Sequence, residues 1–470
     1  MSRHLLNGGV RMSRVIAVLC SSVLIVTASA TESDSVPTAD ETDHVAPAPA
    51  SASPSGSQPG SRRAASTRAA QNGHVEWWDR AKEGTVGRYW IKSDLSDERT
   101  RELGQVLNQM HGHFVHVLGS LQIRGEEHFN VFMFDRREDY LYTLQSRFGI
   151  SGLGSAGMFF VRPEGGALAF WVGDTPWPRV LHTVKHEGFH QFAYSRFAGD
   201  LPVWVNEGLA EFFGESVLVG RTLVMGQSNV RVLEDIRQDI EEGRIISFRE
   251  MLTMSSQQWL DSVQRMSART QYNQAWSMVH FLIYGDNARY QKAFERYLAL
   301  MNRGHTSEQA FVQAFQTNDI EAFERRWREY AMAAKPSAFV TAMERAEFLS
   351  AGLLELSQRE IYPETIEELQ EALREIEFAY TLQAQHVSVT LKADDPSLFT
   401  IPKDDLSRQQ PVFELVKMNP SRIPRREREL EEKNPTPPLV RTRHLRPHEI
   451  GVRWQRDRRD NTFMYEIIAH

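Results

Sequence analysis

Two neighbouring stretches decide how this chain is read: His186-Glu187-Gly188-Phe189-His190, and then Pro202-Val203-Trp204-Val205-Asn206-Glu207-Gly208-Leu209-Ala210-Glu211. On a helix, positions i and i+4 project from one face. His186 and His190 therefore turn two imidazoles to the same side and can grip one ion. Glu187, beside the first imidazole, is within reach of a water on that ion. A short turn at 197–200 reverses the chain, so the two segments are expected as antiparallel helices facing each other. Glu207, 17 residues beyond His190, can then supply a third ligand. Two His and one Glu leave a fourth tetrahedral position for water, the feature that separates a catalytic zinc from a structural one. Glu211 lies one turn further on the same face and is placed to accept the second N–H of a ligand His. His182, one turn before His186, is read as a neighbour, because three His on one helix face cannot all point at one ion.

With Asn206-Glu207-Gly208 and the run Trp204 to Phe212, the His186-Glu187-x-x-His190 segment resembles the gluzincin metallopeptidases. Within them it is most similar to peptidase-MA-like exported bacterial domains of unknown function. The resemblance covers about 88–335. It implies an α+β, zincin-like fold, with a mixed sheet and helices first and a mainly helical part after. It also implies Zn2+ held by His186, His190 and Glu207, Glu187 as general base, and Glu211 as the carboxylate behind a ligand. Glu207 is preferred over Glu211 as third ligand because it sits in the Asn-Glu-Gly context. Tyr272, 65 residues beyond Glu207, matches the Tyr that stabilises the oxyanion in gluzincin aminopeptidases, with His280 as the reserve donor. The implied activity is hydrolysis of peptide bonds in a peptide or protein substrate. Two other classes compete: a catalytically silent binding module on the same fold, and a zinc hydrolase of non-peptide amides. By analogy, the strand at 167–172 is the candidate for aligning an extended peptide.

Moving upstream, strands are expected at 88–92, 130–134, 158–161 and 167–172, and helices at 96–118 and 137–148. Downstream of Pro178 helices dominate, at 179–197, 204–217, 230–241, 256–263, 271–284, 287–301, 306–315 and 319–333. The metallopeptidase-like domain is placed at 73–335. An extension at 336–400 holds two helices and a strand-like stretch near 385–392. Gly152-Leu153-Gly154-Ser155-Ala156-Gly157 spells a dinucleotide-binding string, but it follows a helix and opens a strand, the inverse of the context that chemistry needs. His111, His113 and His116 are read as an ordinary helical cluster.

At the N-terminus, Arg11 and Arg14 precede an apolar run of about 13 residues that ends in Ala28-Ser29-Ala30. That is a signal-peptide layout over 1–30, with an uncleaved anchor as the rival, and it predicts export to the periplasm or beyond. Residues 31–72 are Ser, Ala, Pro, Thr and Gly, too poor in apolar groups to fold, and are read as a disordered tether. The 470 residues are 41% hydrophobic and 24% charged, which excludes a wholly disordered chain. A formal charge of −7 gives no reason to expect nucleic acid. The one cysteine, Cys20, excludes an internal disulfide and a Cys-based zinc site. From 401 to 470, Pro and Arg mix. Between Lys417 and Arg459 there are 13 Lys+Arg against 6 Asp+Glu. The segment is read as an extended, solvated tail, or as an arm contacting an acidic partner or the envelope surface.

Overall fold

The structure, a computed structural model, describes residues 76–470 apart from 119–127, 198, 200, 220–221, 266–267, 384–387, 405, 418–427 and 458. The expected leader at 1–30 and tether at 31–72 lie outside the described residues. The fold is mixed α+β. A short α1 (Trp77–Arg80) leads into β1 (Lys82–Val86) and β2 (Tyr89–Ser93). Then come α2 (Asp97–Leu118), β3 (Phe129–Phe134), α3 (Arg137–Thr143), β4 (Gly157–Arg162) and β5 (Gly165–Trp171). The five strands form one sheet in the order β1-β2-β3-β5-β4. β2, β3 and β5 are parallel, and β1 and β4 run antiparallel at the two edges.

β3 sits in the middle because Phe-Asn-Val-Phe-Met-Phe is apolar on both faces, as a strand covered on both sides must be. Val131 and Met133 enter a core shared with α2. Phe132 and Phe134 enter a second core with Trp77 and Tyr140, from α1 and α3. The stretch at 167–172, expected to align a peptide, lies largely in β5, between β3 and β4. The outer strand is β4. Both stretches are equally apolar, and only the pairing partner decides which is interior.

The helical part follows: α4 (Trp177–Arg196), α5 (Val203–Gly214), a hairpin of β6 (Val217–Val219) and β7 (Thr222–Val224), α6 (Val230–Glu241), α7 (Phe248–Thr253), α8 (Ser256–Arg265), α9 (Ala268–Ala288), α10 (Gln291–Asn302), α11 (Ser307–Phe315) and α12 (Ile320–Ala333). Pro178 in the first turn opens α4 without costing a hydrogen bond. α4 packs on α2 and α5, and α5 packs on α9.

The rest is α13 (Ala338–Gln358), α14 (Ile366–Glu375), β8 (Ala379–Gln383), β9 (Ser388–Lys392), β10 (Val412–Val416), α15 (Arg428–Lys433), β11 (Leu439–Arg443), β12 (Ile450–Asp457) and β13 (Thr462–Ala469). Here the structure departs from the tail expected at 401–470. β10 to β13 form an antiparallel sheet in sequence order. Phe413, Val440, Ile450 and Val452 from it share one core with Phe339, Leu349 and Leu353 of α13. The reason is visible in Leu439-Val440-Arg441-Thr442-Arg443. Its arginines, Arg441 and Arg443, alternate with buried positions, so these two basic residues belong to the solvent face of a two-sided strand. Among the described residues, no helix is long and apolar enough to cross a membrane.

Candidate metal centre

α4 buries His186, Glu187 and His190 together, and α5 brings Glu207, also buried, across from them. The two Nε2 atoms of His186 and His190 lie 3.1 Å apart. Glu207 Oε2 is 3.6 Å from each. An ion with ligand bonds of about 2.0–2.2 Å in tetrahedral geometry sets its ligand atoms about 3.3 Å apart. The three atoms therefore already stand near the corners such an ion would occupy, and a buried carboxylate facing two imidazoles suits a divalent cation. Burial alone would push the Glu207 carboxyl up, but His190 and His186 outweigh it and draw it down to about 2. Burial likewise opposes charge on His186, and Glu207 and Glu211 overcome it, raising its pKa well above the ordinary value.

Behind His186 stands Glu211. Its Oε1 is 3.0 Å from His186 Nδ1, and its Oε2 is 3.2 Å from His182 Nε2. Burial pushes the Glu211 carboxyl up, while His182 and His186 together bring it well below the ordinary range. His182 thus faces away from the centre, with Glu215 Oε1 3.6 Å from the same nitrogen. Glu187 is held from the sheet, where the Phe159 N–H donates to its Oε2 at 2.9 Å. Phe159 lies on β4. In the register of the hairpin its N–H points to the free edge, since the Trp171 N–H donates to the Ala156 carbonyl and alternate residues face out.

Tyr272, on α9, has its ring centroid 6.3 Å from that of His186 and stands edge-on to Trp259 at 5.5 Å. It is half-buried. His280, the reserve donor, is elsewhere. Its Nδ1 is 2.7 Å from Tyr330 Oη, and its Nε2 is 3.3 Å from the Gly226 carbonyl. On α2, His111 is buried with its ring against Phe129 and Phe192, His113 is half-buried and His116 is exposed.

Sequence reasoning passed over three contributors. The Phe159 N–H is a backbone donor and leaves no trace in residue type. Glu215 continues the Glu207, Glu211 series at i+4, which was the available signal. Gly208 lets α5 approach α9, because a Cβ there would stand 2.5 Å from the Ala275 carbonyl oxygen. Tyr272, one turn before Ala275 on α9, stands beside His186.

A family model described as a protein of unknown function (DUF1570) matches residues 180–304. That span runs from the first turn of α4 to just past α10 and contains His186, Glu187, His190, Glu207, Glu211 and Tyr272. No curated protein matches the chain.

Proposed function

We propose that this chain is a zinc-dependent peptidase of gluzincin type, exported and acting on peptide or protein substrates. One observation carries the reading: His186, His190 and Glu207 converge within metal-ligand spacing, while Glu187, one residue along the same helix, is fixed beside them by the Phe159 N–H. Bound between these three side chains, zinc would supply the Lewis acidity that polarises a carbonyl and acidifies water. The residues supply the rest. Glu187 would take the proton of the attacking water and return it to the leaving amine. Tyr272 would donate to the oxyanion as charge develops. Glu211 would hold His186 in the tautomer that turns Nε2 to the centre. The free edge of β4, whose Phe159 already faces Glu187, would align an extended chain by main-chain pairing.

The test is a cleavage profile. Wild-type protein and Glu187→Gln, both zinc-loaded, are incubated with a mixed proteome, and new chain ends are read by mass spectrometry. The proposal expects new ends with wild type alone and equal zinc content in both. Equal zinc with no new ends in either would sink general proteolysis and leave the silent module or a non-peptide amide as the reading.

A further inference from the structure

A broad cavity beside the sheet lies away from the metal centre. It opens where the parallel strands end, between the segments that leave β2, β3 and β5 at 93–96, 135–138 and 173–176. His186 lies nine residues into α4 from Trp177, about 14 Å along the axis from this end. The topology explains the cavity. β2 hands the chain to α2, whose Leu103, Leu107 and Met110 enter the core on one face of the sheet. β3 hands it to α3, whose Tyr140 enters the core on the other face. Adjacent parallel strands whose connections leave to opposite faces open a crevice at their carboxyl ends, the place where open α/β sheets take ligands.

Four arginines line this crevice: Arg99, Arg136, Arg137 and Arg179. They come from the starts of three different helices. Among the described residues, none of the four has a carboxylate within ion-pair distance. Arg137 and Arg179 are half-buried, and burial lowers the pKa of the Arg179 guanidinium with no anion to offset it. Arg99 lies over the ring of Trp177 at 5.7 Å, which aims it along the wall. Asp94, by contrast, is taken up by Arg80 and by the Asp135 N–H. Unpaired guanidinium forks are the groups that grip planar or tetrahedral oxyanions. Asp135, Glu138 and Asp174 share the cavity, and Glu102 lines it beside Arg99. The net charge is therefore small, too small to recruit a long polyanion, and the carboxylates are free to accept from hydroxyls. Trp171 and Trp177 add flat apolar walls.

We infer that this crevice is a second binding site, separate from the metal centre, for a compact oxyanion bearing hydroxyl groups. Its phosphate or carboxylate is held by Arg136, Arg137 and Arg179, and its hydroxyls donate to Asp135 and Asp174. The inference does not depend on the peptidase reading.

Zinc-loaded protein is titrated with glycerol 2-phosphate and, separately, with glucuronate at matched ionic strength, and followed by calorimetry and tryptophan fluorescence. Saturable one-to-one binding is expected for at least one probe. Arg136→Gln/Arg179→Gln should weaken it at least tenfold, with zinc content and melting temperature unchanged. Binding of the first probe alone assigns a phosphoryl ligand, and binding of the second alone assigns a sugar acid. Should the double variant fail to fold, Arg136→Gln, at an exposed position, carries the comparison. No saturable binding of either probe to folded wild type, or binding that survives the substitutions, overturns the proposal.

Discussion

His186 has both ring nitrogens engaged, one toward His190 and Glu207 and the other toward Glu211. The two glutamates therefore have separable effects. Glu207→Ala removes a ligand atom and should leave the purified protein without stoichiometric metal. Glu211→Ala removes only the group that orients a ligand and should weaken metal binding by about 10–100-fold. Metal content after dialysis against a graded chelator distinguishes them, and the reverse ranking would exchange their roles. A second residue-scale outcome concerns His280. Burial draws its pKa from 6.5 down to about 4, only partly offset by the Gly226 carbonyl. A His with a depressed folded pKa stays neutral in the fold and gains a proton on unfolding. Its contribution is therefore complete above about pH 6.5 and is lost as pH falls toward 4, by up to about 3 kcal/mol. His280→Gln should flatten the fall in melting temperature between pH 6.5 and 4, and an unchanged slope would assign that fall to other groups. The pairing of His186 with His190 was legible because i, i+4 spacing fixes a face whatever the tertiary context, whereas Glu207 was singled out by its Asn-Glu-Gly context. The hold on Glu187 was not legible, because its donor is a backbone N–H whose position only the folded hairpin determines.

At the scale of elements, the centre depends on how closely α5 and α9 approach. A Cβ at Gly208 would stand 2.5 Å from the Ala275 carbonyl oxygen and 2.7 Å from Val279 Cγ2, and backbone cannot swing aside. Gly208→Ala should cost about 1–3 kcal/mol. It should also lower turnover, because α9 carries Tyr272 toward His186. Gly112, on the exposed side of α2, has nothing within 4 Å of the corresponding position. Gly112→Ala should stabilise by about 0.5–1 kcal/mol, since the same methyl there only restricts the unfolded chain. Thermal unfolding of both variants checks the pair, and a Gly208→Ala protein that melts with wild type would show the helix contact to be compliant. Most helices from α4 onward were readable to within a few residues, because each carries an apolar face at the helical period. Among the elements that were not are α7, with only six residues, and the β6–β7 hairpin, with three-residue strands. Segments that short complete too little of a period to register. Strand order escaped for another reason: β4 and β5 are alike in composition, and the edge is defined by a missing neighbour.

Across the whole molecule, the decisive feature is that a short hairpin ties the C-terminal sheet to the candidate metal centre. α5 ends at Gly214, and the chain enters β6 two residues after Glu215. Val219 and Val224 from that hairpin are buried in the same core as Phe339, Phe413, Val440 and Val452, and β6 touches β13. On one side of the join, Glu215 faces His182 and the Lys185 ammonium donates to the Ser216 carbonyl. Burial brings that Lys185 pKa down to about 8, Glu215 working against the shift. A chain cut after residue 400 would therefore lose more than a basic appendage. It would bare the faces of Phe339, Leu349, Leu353 and Leu356 on α13, each large apolar side chain costing about 1.5–3 kcal/mol when returned to water. It would also release the hairpin that pins the end of α5, where Glu211 and Glu215 sit. The expected outcome is a protein that is insoluble, or soluble with a much lower melting temperature and weakened metal binding. A loosely packed tail makes the opposite forecast, in which the cut leaves melting and metal binding untouched. Differential scanning calorimetry with metal titration of the two lengths decides between them. If the shorter protein melts and binds metal as the longer one does, the shared core does not stabilise the centre.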